Sequence, residues 1–97
     1  MKVIRFETPR AIGLRRLCRL TASRPAWIAE LVEHGVIEAS GERPVRWRFD
    51  ETALARSLRA RRLAADLGLN APGIAVAMEL SDRLRRTRRE LEALRRD

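Results

Sequence analysis

Apolar residues along this chain change their spacing from one stretch to the next, and each spacing predicts an element. Val3, Ile4 and Phe6 within residues 2–7 predict a short strand. Thr8-Pro9-Arg10 breaks it. Leu14, Leu17 and Cys18 then stand at i, i+3 and i+4, with Arg15, Arg16 and Arg19 outward. That period predicts a short amphipathic helix ending near Leu20. Thr21-Ala22-Ser23 is a tight connection, in which Ser23 is a good N-cap for a second helix and Pro25 fits its first turn. The second helix buries Trp27, Ile28, Leu31 and Val32 and ends at Gly35. Two short helices on a three-residue turn make a helix-turn-helix.

Beyond Gly35 the period changes again. Val36-Ile37 leaves in extended form, and residues 39–44 make a polar loop containing Gly41. Val45, Trp47 and Phe49 alternate with Arg46 and Arg48, the period-2 pattern of a half-buried strand. A helix-turn-helix followed by a hairpin is a winged-helix arrangement. Asp50 caps a third helix, expected to bury Leu54, Leu58 and Leu63 and to stop at Gly68. Asn70-Ala71-Pro72 opens a last helix that meets no breaker before about Arg96. The expected organisation is mainly α, with residues 1–69 as the winged domain and residues 70–97 as a dimerisation helix.

The last helix carries a distinctive seam. Ala77, Leu80, Leu84, Thr87, Leu91 and Leu94 are spaced 3, 4, 3, 4, 3, a heptad pattern suited to one partner helix. A helix folded back on its own domain needs a wider apolar stripe. A homodimer built as a coiled coil is therefore expected. Pairs at i, i+4 (Asp82 with Arg86, Arg88 with Glu92, Glu92 with Arg96) would support the helix. Gly73, Ala75 and Ala77 suggest close packing near its start.

Composition narrows the chemistry. No apolar run approaches the ~18 residues of a membrane span, and MKVIRFE has the wrong order of charge and apolarity for export. The lone Cys18 cannot close an internal disulfide, which fits a reducing cytoplasm. One His and one Cys fall short of the roughly four N/S ligands of an ordinary zinc site. No Ser/His/Asp set and no Gly-rich phosphate loop are present, so neither catalysis, cofactor nor metal is expected. His34 stands just before the Gly35 stop, where it suits a helix C-terminus. Cys18 falls on the buried face of its helix, while Trp27 and Trp47 read as core residues.

The net charge is +8, yet 20 of the 21 basic residues are Arg and only Lys2 is not. So lopsided a ratio fits a GC-rich genome as well as a phosphate-binding surface. Net charge by itself bears on solubility and adhesion rather than on fold or partner.

The order helix-turn-helix, wing, helix and long heptad helix resembles the MerR superfamily, whose members dimerise through an antiparallel coiled coil. The strings LCRLTA, ELVEHGVIE, WRFDETAL, RARRLAADLGLNAPGIAVAMEL and LRRTRRELEALR are similar to the CbpM family of chaperone modulatory proteins, across residues 14–96. Trp47-x-Phe49-Asp50 and Leu67-x-Leu69-x-x-Pro72-Gly73-Ile74-Ala75-Val76-Ala77 are its most specific parts, because no generic periodicity dictates them. The resemblance implies a bacterial cytoplasmic protein that binds the J-domain of CbpA, a DnaJ-type co-chaperone. It would inhibit both the stimulation of DnaK and the DNA binding of that partner, and would reach the nucleoid only through it.

DNA-binding MerR proteins carry an Arg-Tyr-Tyr-type run in the second helix and an Arg-x-Tyr in the wing. Those positions correspond here to Ala29, Glu30 and Leu31, and to Trp47-Arg48-Phe49. An anionic side chain repels phosphate, and Ala and Leu donate no hydrogen bond to it. The second helix therefore looks unsuited to a groove, and specific DNA binding is not expected. J-domains carry a basic helix, so Glu30, Glu33, Glu38 and Glu42 are the candidate partner-binding residues, their charge setting on-rate and register. The rival expectation is a small MerR-like DNA-binding regulator gripping the backbone through Arg15, Arg16, Arg24, Arg46 and Arg48. Ala22 stands where helix-turn-helix proteins commonly have Gly, which tells against a left-handed turn there.

Overall fold

The computed structural model describes residues 12–96. The strand expected over residues 2–7 and its break at Thr8-Pro9-Arg10 lie outside the described residues. Within them run β1 (Ile12–Gly13), α1 (Leu14–Thr21), α2 (Pro25–Glu33), β2 (Arg48–Phe49), α3 (Glu51–Leu67) and α4 (Ala71–Arg96). A single 3₁₀ turn, Pro44–Arg46, precedes β2. The fold is mainly helical. β1 and β2 form a two-stranded antiparallel sheet with Ile12 opposite Phe49 and Gly13 opposite Arg48.

One core joins all four helices. Leu17, Ile28, Leu31, Phe49, Ile74 and Met78 are its fully buried large side chains. Leu17 and Cys18 face inward from α1 as their spacing predicts, with Leu14 half-buried beside them. Helix α1 runs one residue further than expected, to Thr21, which is buried and donates its hydroxyl to the Leu17 carbonyl at 2.8 Å. Ile28 and Leu31 are fully buried in α2, while Trp27 and Val32 pack half-buried at its edge.

The turn between α1 and α2 corrects two expectations. Ala22 has φ 51° and ψ 45°, so the left-handed turn forms without glycine. Its stabilising contacts are backbone bonds: Ser23 N–H donates to the Cys18 carbonyl at 2.9 Å and Ala22 N–H to the Arg19 carbonyl at 3.3 Å. Ser23 is not the N-cap. Its hydroxyl instead donates to the Thr21 carbonyl at 3.0 Å, closing the turn it sits in. Arg24 takes the cap position and Pro25 is the first helical residue, where a missing N–H costs little.

The end of α2 follows its sequence. His34 is the C-cap and Gly35 follows at φ 76°. Val36 N–H reaches back to the Leu31 carbonyl at 2.8 Å, the long-range bond of a Schellman ending. Val36 and Ile37 are then buried in bends rather than continuing as a strand.

The expected hairpin is much reduced. It shrinks to one antiparallel bridge between Ser40 and Arg48, whose N–H···O distances are 3.1 and 3.0 Å. Pro44 starts a 3₁₀ turn instead of a strand, so Val45 points into solvent, 78% exposed. Gly41 adopts φ 109°, and a Cβ there would collide with the Arg46 carbonyl. The period-2 expectation survives only at the end of the stretch, where Trp47 and Phe49 meet edge to face at 6.0 Å. The partner of β2 is β1, which precedes the helix-turn-helix in sequence.

Helix α3 is capped as expected, with the Asp50 carboxylate accepting from Ala53 N–H at 2.9 Å, and it ends at Gly68 with φ 68°. Its buried face is different from the expected one. Ala53, Ser57 and Ala60 face the core, Leu54 and Leu63 are only half-buried, and Leu58 is 42% exposed. Small side chains let neighbouring helices approach closely, so the leucines flank that contact rather than fill it. The Ser57 hydroxyl lies fully buried with no hydrogen-bond partner.

Asn70 stands just before helix α4, and its side-chain oxygen accepts from Gly73 N–H at 3.0 Å. Ala71, Ile74 and Met78 bury its first turns in the same core as Leu17 and Ile28. At 26 residues it is about 39 Å long, and from Arg83 onward every described residue is exposed. Asp82 does not pair with Arg86: it turns to α3 and binds Arg56 and Arg59. Among the described residues no single helix is long and apolar enough to cross a membrane.

Candidate partner-binding surfaces

The acidic candidates all lie in water, but on several surfaces. Glu30 and Glu33 project from α2, whose other side holds Ile28 and Leu31 in the core. Burying one side of a short helix this way fixes what the other side presents. Glu38 follows on the segment leaving α2 and lines a hollow of about 350 Å³ with Asp50, Thr52 and Arg56. Glu42 sits apart, in a hollow of about 420 Å³ with Gly41, Arg43 and Arg46. Two cations, Arg43 and Arg46, border Glu42.

The arginines of the rival expectation are more closely gathered. Arg15, Arg16 and Arg48 line one groove of about 710 Å³ between α1 and the 44–48 loop. The β1–β2 pairing brings this about, because it places Arg48 opposite Gly13 at the start of α1. Arg46 lines the separate loop hollow with Glu42, and Arg24 stands exposed at the cap of α2. Arg19 and the apolar Pro25 and Val45 also line the shared groove, a grouping that the sequence does not announce.

The seam on α4 is open to solvent. Leu80, Leu84, Leu91 and Leu94 are 58%, 52%, 48% and 71% exposed, Thr87 is exposed, and only Ala77 is half-buried. At 3.6 residues per turn, Leu80 lies about 200° around the helix from Met78. The face docked on the domain (Ala71, Ile74 and Met78) and the seam are therefore different sides of one helix.

A polar clamp fixes where α4 leaves the domain, and sequence reasoning missed it. Arg56 on α3 donates from Nε to the buried Val36 carbonyl at 2.6 Å and from Nη1 to Asp82 at 3.2 Å. Arg59, one turn along, donates to Asp82 at 3.4 Å and to the Ser81 hydroxyl. Partial burial pushes the Asp82 carboxyl upward, but the hydrogen bonds and charges of Arg56 and then Arg59 outweigh it and hold it below its ordinary value. Contacts 20 to 26 residues apart leave no local spacing signal that could have revealed them. The buried Cys18 thiol is raised by desolvation, which leaves it protonated and suits a packing role. Among the described residues no cluster of three His, Cys, Asp or Glu could hold a metal ion.

Comparison with known proteins agrees with this architecture. The sequence model described as "MerR HTH family regulatory protein" matches residues 12–96. A chaperone modulatory protein CbpM of Pseudomonas entomophila (strain L48) is 36% identical over 84 residues, spanning 87% of this chain and 83% of the relative. The CbpM of Coxiella burnetii (strain Dugway 5J108-111) is 34% identical over 96 residues, 99% of this chain and 91% of the relative. That of Pseudomonas putida (strain W619) is 34% identical over 84 residues. With a helix-turn-helix core, a long projecting helix and relatives of one name over nearly its whole length, the chain belongs to the CbpM family within the MerR-like helix-turn-helix proteins.

Proposed function

We propose that this protein is a homodimeric chaperone modulator that binds the J-domain of a CbpA/DnaJ-type co-chaperone and inhibits its co-chaperone and DNA-binding activities. The observation that carries the reading is α2. Its core side is that of a recognition helix, with Ile28 and Leu31 buried, while its exposed side presents Glu30 and Glu33. Carboxylates at that place oppose phosphate and suit a basic protein surface. The relatives named as chaperone modulatory proteins support it. Glu30 and Glu33 form the centre of the proposed contact; Glu38 joins it from the segment leaving α2, and Glu42 from the separate loop hollow.

In this reading the 40–48 loop is a shortened wing, residues 70–97 are the dimerisation segment, and the seam from Ala77 to Leu94 pairs with a second copy as a coiled coil. The protein acts without catalysis or cofactor in the bacterial cytoplasm. Binding to the J-domain would hide the basic helix that docks on DnaK. Its effect is measurable as ATP hydrolysis by DnaK in the presence of the co-chaperone. Adding this protein is expected to return hydrolysis to the unstimulated rate, and undiminished stimulation at saturating concentration would contradict the function.

The second reading is a DNA-binding regulator. The gathering of Arg15, Arg16 and Arg48 on one groove is the observation in its favour. The exposed carboxylates of α2 stand against it.

A further inference from the structure

The groove between α1 and the 44–48 loop has no part in the J-domain reading. Four guanidinium groups line it, from Arg15, Arg16, Arg19 and Arg48. None of the four makes an ion pair among the described residues. Between them the lining is apolar: Leu14, Pro25, Pro44 and Val45. Four cations around apolar side chains form a surface for a ligand that carries both carboxylates and hydrocarbon.

The groove is also built to hold its shape. Pro44 fixes its own backbone, Gly41 makes the close turn against Arg46, and the Ser40–Arg48 bridge pins the base of the loop. Arg48 Nη1 donates to the Trp47 carbonyl at 2.8 Å, which orients that guanidinium. Val45 is thereby held 78% exposed on a constrained turn. A β-branched side chain kept in water on a fixed loop gains by being covered.

The chemistry of the occupant follows from these contacts. We infer that this groove docks an acidic segment of a partner protein whose carboxylates are interleaved with apolar side chains. Each guanidinium fork suits a carboxylate, and Leu14, Pro25, Pro44 and Val45 receive the apolar residues between them. A volume of about 710 Å³ accommodates a few side chains. Residues 1–11 of this chain do not supply such a segment, since they carry Lys2, Arg5 and Arg10 against the single acid Glu7. A duplex backbone is a poorer match, because phosphate and sugar leave the apolar lining unused. The helix that contributes Pro25 also presents Glu30 and Glu33 to solvent. This site is opposite in charge to the proposed J-domain contact and stands independently of it.

Fluorescence anisotropy with the full chain tests the inference, using three labelled ligands of similar charge. One is a peptide of Glu, Asp, Leu and Phe with apolar residues at i, i+3 and i+4; the others are polyglutamate and duplex DNA. The amphipathic peptide is expected to bind at least about tenfold more tightly than polyglutamate, the gain from covering one apolar side chain. Val45→Asp and Arg16→Glu, both on exposed positions, are each expected to weaken that peptide about tenfold while the melting curve stays unchanged. Equal affinity for polyglutamate, or an unchanged affinity in Val45→Asp, would overturn the inference. Tighter binding of DNA than of the peptide, lost in Arg16→Glu, would overturn it in favour of a nucleic-acid groove.

Discussion

Arg56 on α3 and Asp82 on α4 are joined at 3.2 Å, Nη1 to Oδ2, while the same guanidinium holds the Val36 carbonyl through Nε at 2.6 Å. One side chain thus ties the exit of the helix-turn-helix to the helix that projects from the domain. The two ends of this link differ in energy. Removing the guanidinium leaves a buried carbonyl unsatisfied, whereas removing Arg59 leaves Asp82 still paired. Arg56→Ala is therefore expected to cost about 2 kcal/mol, and Arg59→Ala about 0.5–1 kcal/mol, by urea denaturation. Equal effects would show that the Val36 bond contributes nothing.

The same cluster sets an acid limit. The Asp82 carboxyl is lowered from its ordinary value of 3.8, so it is charged in the folded protein where the unfolded chain has begun to protonate. Its contribution is complete above that ordinary value and is lost as pH falls through the lower, folded value. The stability advantage of the native protein over Asp82→Asn should be constant near neutrality and shrink below about pH 4. An advantage that persisted undiminished at pH 2 would refute the assignment.

Ala22 occupies the left-handed region that L-residues enter at a cost of about 1–2 kcal/mol. Glycine enters it without that cost but gives the unfolded chain more freedom, which offsets part of the gain. Ala22→Gly should raise stability by about 0.5–1 kcal/mol, seen as a higher melting temperature. A lower one would mean that the turn is not strained.

Ser57 is fully buried with its hydroxyl unpartnered, on the face of α3 that also holds Ala53 and Ala60. Alanine keeps the close helix approach and removes the desolvated hydroxyl. Ser57→Ala is expected to stabilise the fold by about 1 kcal/mol in equilibrium denaturation. Destabilisation would reveal a hydrogen bond formed in solution.

The seam of α4 predicts a dimer that single charges disrupt. Leu84→Asp or Leu91→Asp should sediment as a monomer with its helical domain intact, because neither residue reaches the core. A monomeric native protein, or a dimer indifferent to both changes, would leave the exposed leucines without the proposed partner.

Much of the helical frame was legible because it is written locally. Periodicity marked α1 and α2, Asp50 and Gly68 marked the ends of α3, and Asn70-Ala71-Pro72 marked the start of α4. What escaped were features decided by distant partners. The strand over residues 45–49 shrank because Pro44 favours a 3₁₀ turn and because β2 pairs with β1. On α3 the leucines were expected inside, yet neighbouring helices select the small face of Ala53, Ser57 and Ala60. Among candidate site residues, the exposure of Glu30 and Glu33 follows from the period of α2. The placing of Glu42 among Arg43 and Arg46 does not, since it depends on the loop geometry set by Gly41.

Calorimetric titration distinguishes an α2 that presents acid to a protein from one that presents base to DNA. The native protein and its Glu30→Lys, Glu33→Lys double variant are each titrated against an isolated CbpA-type J-domain and against duplex DNA over a salt series. The native protein is expected to bind the J-domain at about micromolar Kd, weakened about tenfold or more by the charge reversal. DNA binding should be weak and fall steeply with salt. No J-domain binding in the micromolar range, together with salt-resistant and sequence-specific DNA binding, would contradict it.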